Sequence, residues 1–267
     1  MNNNATKIIS VDFSSPFGFL KKNDINEDIY LTYNCLHKPA LLGILGAIIG
    51  LKGYYQAYIE DKNKLPEYFD MLRDIKVGIE PINSFNGNFQ KTVIVYNNSV
   101  GYASKETGGN LIVKEQTLIA PGYRVYLMID DSKKYQQQIY RSLKEKESVF
   151  IPYLGKNDFQ ICWGNFMEYE INSTKPVHDF SISTIFLKEG IVKDSIKKEN
   201  LISPLKTAKS PLFIYFEQLP VGFSDITKNY ELKEFVYTNA VFSPDFILNN
   251  LYEIEDYEQN VKLIQMF

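Results

Sequence analysis

Residues 89–130 read FQKTVIVYNNSVGYASKETGGNLIVKEQTLIAPGYRVYLMID. Residues 89–102 are rich in β-branched and aromatic side chains, the signature of a strand. They run into a turn-rich tip over 104–110, where Gly108 and Gly109 supply the backbone freedom that a reversal needs. Residues 111–118 and 123–129 form the returning strand or strands. The whole stretch is therefore a long hairpin, and its place in the chain sets the order of everything around it.

Upstream, residues 7–13 (KIISVDF) alternate and form a first strand, and 15–28 is a polar loop carrying the pair Lys21–Lys22. Residues 39–58 form a helix with Pro39 in its first turn. Gly43, Gly46, Gly50 and Gly53 share one face of it. Glycine costs roughly 1 kcal/mol relative to alanine inside a helix. Close packing against a sheet or a partner backbone is the preferred reason for this face, because no strand directly precedes the helix as a dinucleotide fingerprint requires. Residues 65–72 form a short second helix. Downstream, 131–146 places Tyr135, Ile139, Tyr140 and Leu143 on one side of an amphipathic helix. Residues 149–154 form a further strand, followed by Gly155-Lys156-Asn157-Asp158.

The order over 7–154 is thus β, α, β, β, α, β. That is the ferredoxin-like order, shared by RNA-recognition folds. Beyond about residue 164, short strands are expected at 181–187, 212–217 and 235–242, with Pro176, Pro204, Pro211 and Pro220 between them. The expected class is α+β: a ferredoxin-like domain over 1–164 and a smaller β-rich part over 165–267.

The net charge of −3 and 45% hydrophobic content describe an ordinary globular chain, not a general polyanion binder. Residues 1–165 carry 19 Lys or Arg against 17 Asp or Glu, and residues 166–267 carry 10 against 15. A polyanion would therefore meet the N-terminal part. Two distant cysteines, Cys35 and Cys162, and two histidines, His37 and His178, make neither a zinc site nor a disulfide framework. No cofactor or metal is expected. The N-terminus shows no signal-peptide pattern, and the most apolar run, 39–51, is well short of the ~20 residues a membrane helix needs. A soluble, cytoplasmic protein with no membrane partner is expected.

The common catalytic motifs G-x-S-x-G, H-E-x-x-H and GxxxxGK[ST] are absent. His37 and Lys38, with Tyr33 four residues earlier, have the residue types of a metal-independent ribonuclease. The simpler reading puts His37 and Lys38 at a helix N-terminus, touching a phosphate or a carboxylate. Tyr96, Asn97 and Asn98 set amides beside an aromatic ring, with Lys105, Asn110 and Lys114 following. Amides read base edges, tyrosines stack on bases and lysines hold phosphates, although composition alone favours a polar hairpin. Gly155 lets backbone N–H groups approach a phosphate, with Lys156 and Asn157 beside it; a plain turn is the bland alternative.

Five segments resemble the CRISPR-associated Cas-five family of the RAMP superfamily, in its type I-B form. They are YLTYNCLHKPALLGILGAIIGLKGY (30–54), VGIEPIN (77–83), FQKTVIVYNNSVGYAS (89–104), GGNLIVKEQTLIAPGYRVYLMID (108–130) and FIPYLGKNDF (150–159). They cover most of 30–160; residues 165–267 resemble the family only loosely. The resemblance implies a ferredoxin-like domain whose hairpin, about 96–114, is a thumb over the guide RNA. It implies a glycine-rich loop at Gly155 and Lys156 and an aromatic–basic pair at Tyr123 and Arg124. It implies a non-catalytic subunit that caps the 5′ handle of the CRISPR RNA in a Cascade complex. The large subunit and a Cas-seven family backbone subunit would be its neighbours, and target DNA near the flanking motif a further contact. The RNA-facing set is then Lys21, Lys22, His37, Lys38, Lys91, Tyr96, Asn97, Asn98, Lys105, Asn110, Lys114, Tyr123, Arg124, Gly155, Lys156 and Asn157. The Tyr, Lys and His set with which some type I-C relatives cut RNA has no aligned counterpart here.

Overall fold

The computed structural model describes residues 6–23, 28–62, 64–98, 105, 111–173, 176–188, 211–244, 246, 248–255 and 261–267. In chain order the main elements are β1 (Thr6–Ser14), α1 (Lys38–Ile49), α2 (Tyr54–Glu60), α3 (Glu67–Leu72), β2 (Val77–Ile82), β3 (Lys91–Asn98), β4 (Leu111–Ile119), β5 (Gly122–Asp130), α4 (Lys134–Glu145), β6 (Cys162–Tyr169), β7 (Ile214–Phe223), β8 (Tyr230–Thr238), β9 (Leu251–Glu255) and β10 (Val261–Gln265). The architecture is mixed α/β, with antiparallel sheets.

Four strands make the central sheet in the order β2-β5-β1-β6, every neighbour antiparallel. Strand alternation sends Ile9, Val11 and Phe13 of β1, Val77 and Ile79 of β2, and Val125, Leu127 and Ile129 of β5 to one face. There they share an apolar cluster with Leu41, Leu45 and Ile48 of α1 and Ile139 and Leu143 of α4. The opposite face puts Ile8, Tyr126 and Tyr169 against Tyr252, Ile254, Ile264 and Met266, so the β9–β10 hairpin covers it. Val77 and Phe267 exchange two backbone hydrogen bonds (3.1 and 2.9 Å), tying the C-terminal residue to the β2 edge.

Several expectations are corrected here. The strand that follows the first helices in the central sheet is β2, not the 89–102 stretch. β3 instead pairs with β4 in a separate sheet that also holds the short strand Phe17–Gly18. The fourth central strand is β6 and not 149–154. The N–H groups of Val149 and Phe150 bond to the carbonyls of Ile48 and Ala47, satisfying the C-terminal end of α1. The helix expected over 39–58 is two helices bent by 87°. Gly50 ends the first in the left-handed region (φ 81°), where a side chain would be strained. Gly43 and Gly46 face Tyr68, and a methyl group at Gly46 would overlap the Tyr68 Cβ, so these two serve packing, whereas Gly50 and Gly53 cap two different helices and do not share their face.

Residue 164, the expected boundary, lies inside β6. Ile185, Leu219, Phe223 and Phe235 belong to the same apolar cluster as α1 and the central sheet. Among the described residues, no single helix is long and apolar enough to cross a membrane.

Candidate nucleic-acid interface

The β3–β4 hairpin pairs from Lys91↔Leu118 to Asn98↔Leu111 and belongs to a sheet separate from the central one. Directly opposite residues share a face. Val95, Asn97, Ile112 and Lys114 therefore line one side, and Ile94, Tyr96, Glu115 and Thr117 the other. Of the expected tip, 104–110, Lys105 alone is among the described residues and is exposed; Asn110 lies outside them.

On the second side the hairpin folds onto the turn that begins at Leu154. The Glu115 side chain is only 7% exposed and organises this contact. It accepts the Tyr96 hydroxyl at 2.9 Å on one oxygen and the Lys156 ammonium at 2.6 Å on the other. The Lys156 Nζ also lies 4.8 Å from the centre of the Tyr96 ring and 5.9 and 5.8 Å from those of Phe19 and Phe159. Burial works against the Lys156 charge, but the bond to Glu115 and its negative charge outweigh it, and the pKa is raised. Burial, then the Glu115 contact, raises that of Tyr96.

Gly155 has φ 88°, and any Cβ there would run into the Phe19 carbonyl. Glycine is required for this turn, which Phe19 N–H to Leu154 O (3.0 Å) and Leu154 N–H to Phe159 O (2.8 Å) lock in place. Asn157 is exposed at its rim. Tyr30 extends the hairpin sheet by bonding Lys114 and Gln116, and the Lys21 ammonium lies 4.0 Å from the centre of the Tyr30 ring. Lys114 pairs with Asp28 at 2.9 Å.

The remaining candidates lie apart from this contact. Lys22 faces the buried Glu217 at 3.5 Å, and Lys91 donates to Asn34 Oδ1 at 3.0 Å, with burial lowering its pKa. Arg124 holds both oxygens of Asp12 (2.7 and 2.8 Å), and Asn165 donates to the same carboxylate. The bond to Asp12 raises the Arg124 pKa against the opposing effect of burial. Tyr123 is 1% exposed and donates to the Asn34 carbonyl, so it is a core residue, and Tyr33 is buried as well.

His37 is the N-cap of α1: its Nδ1 accepts the Ala40 N–H at 3.3 Å, and burial lowers its pKa to about 3. Lys38 reaches a main-chain oxygen of Phe267 at 3.2 Å, with burial lowering its pKa to about 8. His37 does stand at the helix N-terminus, but it and Tyr33 present no open surface to a polymer, and Lys38 meets a main-chain oxygen instead of a phosphate or carboxylate.

Sequence reasoning missed Glu115, the centre of the hairpin contact, and Phe17, 38% exposed against Phe159 at 5.8 Å. The polar run Lys114-Glu115-Gln116 in an otherwise apolar strand was the available signal, but nothing local marks which of its members turns inward. Among the described residues, no group of three His, Cys, Asp or Glu side chains is placed to hold a metal ion.

Fold and site together define an antiparallel mixed α/β chain in which a hairpin outside the central sheet closes on a glycine turn. No protein-family model and no curated protein matches the sequence. Among solved structures it is similar to a chain of a CRISPR RNA-guided surveillance complex, 11% identical over 88% of this chain and 90% of that one, with a TM-score of 0.47. It is similar to a CRISPR protein from Archaeoglobus fulgidus at 12% identity, over 97% and 99% of the two chains, with a TM-score of 0.46. A chain of a type III-B Cmr-beta complex bound to cognate target RNA and AMPPnP is 12% identical over 89% and 86%, with a TM-score of 0.39.

Proposed function

We propose that this chain is a CRISPR-associated RAMP-type protein that binds guide RNA as a non-catalytic subunit of an effector complex. In its finer form the reading is a Cas-five family subunit of type I-B Cascade. The central sheet is then a ferredoxin-like domain, and the β3–β4 hairpin is the thumb over the 5′ handle of the CRISPR RNA. The large subunit and the Cas-seven family backbone subunit are its protein neighbours, target DNA lies near it at the flanking motif, and the cytoplasm is its place of work.

The observation that carries the reading is the closure of the hairpin base on the Gly155–Lys156 turn. It brings the Tyr96 ring beside the Gly155–Lys156 turn, with the Asn157 amide exposed at the rim, so an aromatic ring and a side-chain amide from segments far apart in sequence meet, groups that single-stranded RNA recognition uses. The strand order β2-β5-β1-β6 and the resemblance over 30–160 support it. The non-catalytic part draws support from His37. A general acid or base works best with a pKa near the operating pH and within reach of its proton, whereas burial holds His37 at about 3 with Nδ1 engaged.

The test is incubation of the purified chain with labelled repeat RNA in chelator, reading retention and cleavage on the same samples. Retention of the handle without a cut is expected. A discrete cut at the 5′ boundary of the handle overturns the non-catalytic reading, and no retention at low salt overturns the RNA-binding one.

A further inference from the structure

Resting on the RNA-binding reading, we infer that Tyr96 and Phe17 are a stacking platform for unpaired bases and that Lys156 positions the platform instead of holding a phosphate. Glu115 already neutralises Lys156. The two charges are 2.6 Å apart, with the carboxylate 7% and the ammonium 27% exposed. Pulling Lys156 toward a phosphate would leave the buried Glu115 charge without its counter-charge, held only by the Tyr96 hydroxyl, a strongly unfavourable exchange. An approaching polyanion therefore meets a nearly neutral pair and gains little from it.

The same pair fixes flat apolar surface. Tyr96, 40% exposed, is held by its hydroxyl on Glu115 and by the Lys156 ammonium over its ring. Phe17 is the second exposed ring, packed on Phe159, whose own ring lies 5.8 Å from the Lys156 Nζ. Both rings sit on paired strands, and the register puts Phe17, opposite Ile119, and Tyr96, opposite Val113, on the same side of the hairpin sheet. Two exposed rings on one side of the sheet, beside a neutralised ion pair, suit nucleobases of any sequence, because every base has a π face. The ligand class is single-stranded RNA with unstacked bases.

The experiment measures binding of the full chain to a labelled single-stranded oligoribonucleotide across a salt series, beside an abasic strand with the same phosphates. Tyr96→Ala is expected to weaken RNA binding by roughly 5- to 150-fold with an unchanged salt slope. Phe17→Ala should behave alike, and Tyr96→Phe should keep most of the affinity because its ring remains. The abasic strand should bind all of these proteins about equally. Lys156→Gln should leave the slope as it is.

A Lys156→Gln slope lower by about 0.7 shows a phosphate contact and overturns the inference. Normal RNA binding that is indifferent to both ring deletions overturns the platform and leaves the RNA reading intact. A wild-type chain that binds neither strand overturns both.

Discussion

His37 is 4% exposed and lies edge-on to Tyr33 and Tyr230, at 5.2 and 5.5 Å between ring centres. Its pKa falls from 6.5 to about 3 because an imidazolium there loses its water, and protonation of Nδ1 would also end the helix cap. The sign follows from which state binds the proton first. The unfolded chain protonates near pH 6.5 and the folded chain only near 3. The contribution is complete above 6.5 and is lost as pH falls from there toward 3, at about 1.4 kcal/mol per pH unit. Urea unfolding of the wild type and of His37→Asn, which keeps a capping acceptor, measures this directly. The wild type is expected to lose about 1.4 kcal/mol more than the variant for each unit below about pH 6. Parallel stability lines would show that burial does not hold His37 neutral. The sequence around His37 is mixed, with Cys35 and Leu36 before it and Lys38 after, so it offers local packing without deciding it; Tyr230, one of the rings enclosing it, is 193 residues away.

At the scale of elements, Glu217 of β7 locks the segment before α1. Its buried carboxylate accepts the Asn34 and Cys35 N–H groups, each at 3.0 Å. Glu217→Ala leaves both donors without an acceptor and is expected to cost at least about 2 kcal/mol in chemical unfolding, with Glu217→Gln milder because its amide oxygen still accepts. Equal loss in the two variants would show that charge, through Lys22, matters more than the hydrogen bonds. The elements themselves were unequally legible. β1, α4 and both arms of the hairpin carry unbroken periodicity and lie close to where the sequence places them. β2 contains Gly78 and Pro81, which weaken a strand signature, and proline is tolerated because β2 is an edge strand. β6 hides its alternation behind a register shift opposite Ser10 and Asp12, with Asn165 at φ 51°. The run VFIPY at 149–153 looks like a strand, yet Val149, Phe150 and Ile151 are exposed and their backbone serves the end of α1.

Across the whole molecule, the parts expected as two domains share one apolar cluster. A chain ending at residue 164 would cut β6 and remove Ile185, Leu219, Phe223 and Phe235 from the cluster, and Ile264 and Met266 from the second face of the sheet. Such a chain is expected to give no cooperative thermal transition in circular dichroism, whereas the full chain gives one. A cooperative transition in the short chain would establish an independent N-terminal domain.

The sequence by itself determined what depends on neighbours a few positions away: the first strand, the amphipathic helix, the hairpin and the glycine turn. Periodicity, caps and turn residues act over that range. Only the tertiary structure decided that Glu115 takes Lys156, 41 residues away, and that Glu217 takes the Cys35 N–H, 182 away. It also decided that the last hairpin covers the sheet. Those choices come from burial and charge pairing between segments that no local pattern connects, so they appear once the chain has closed on itself.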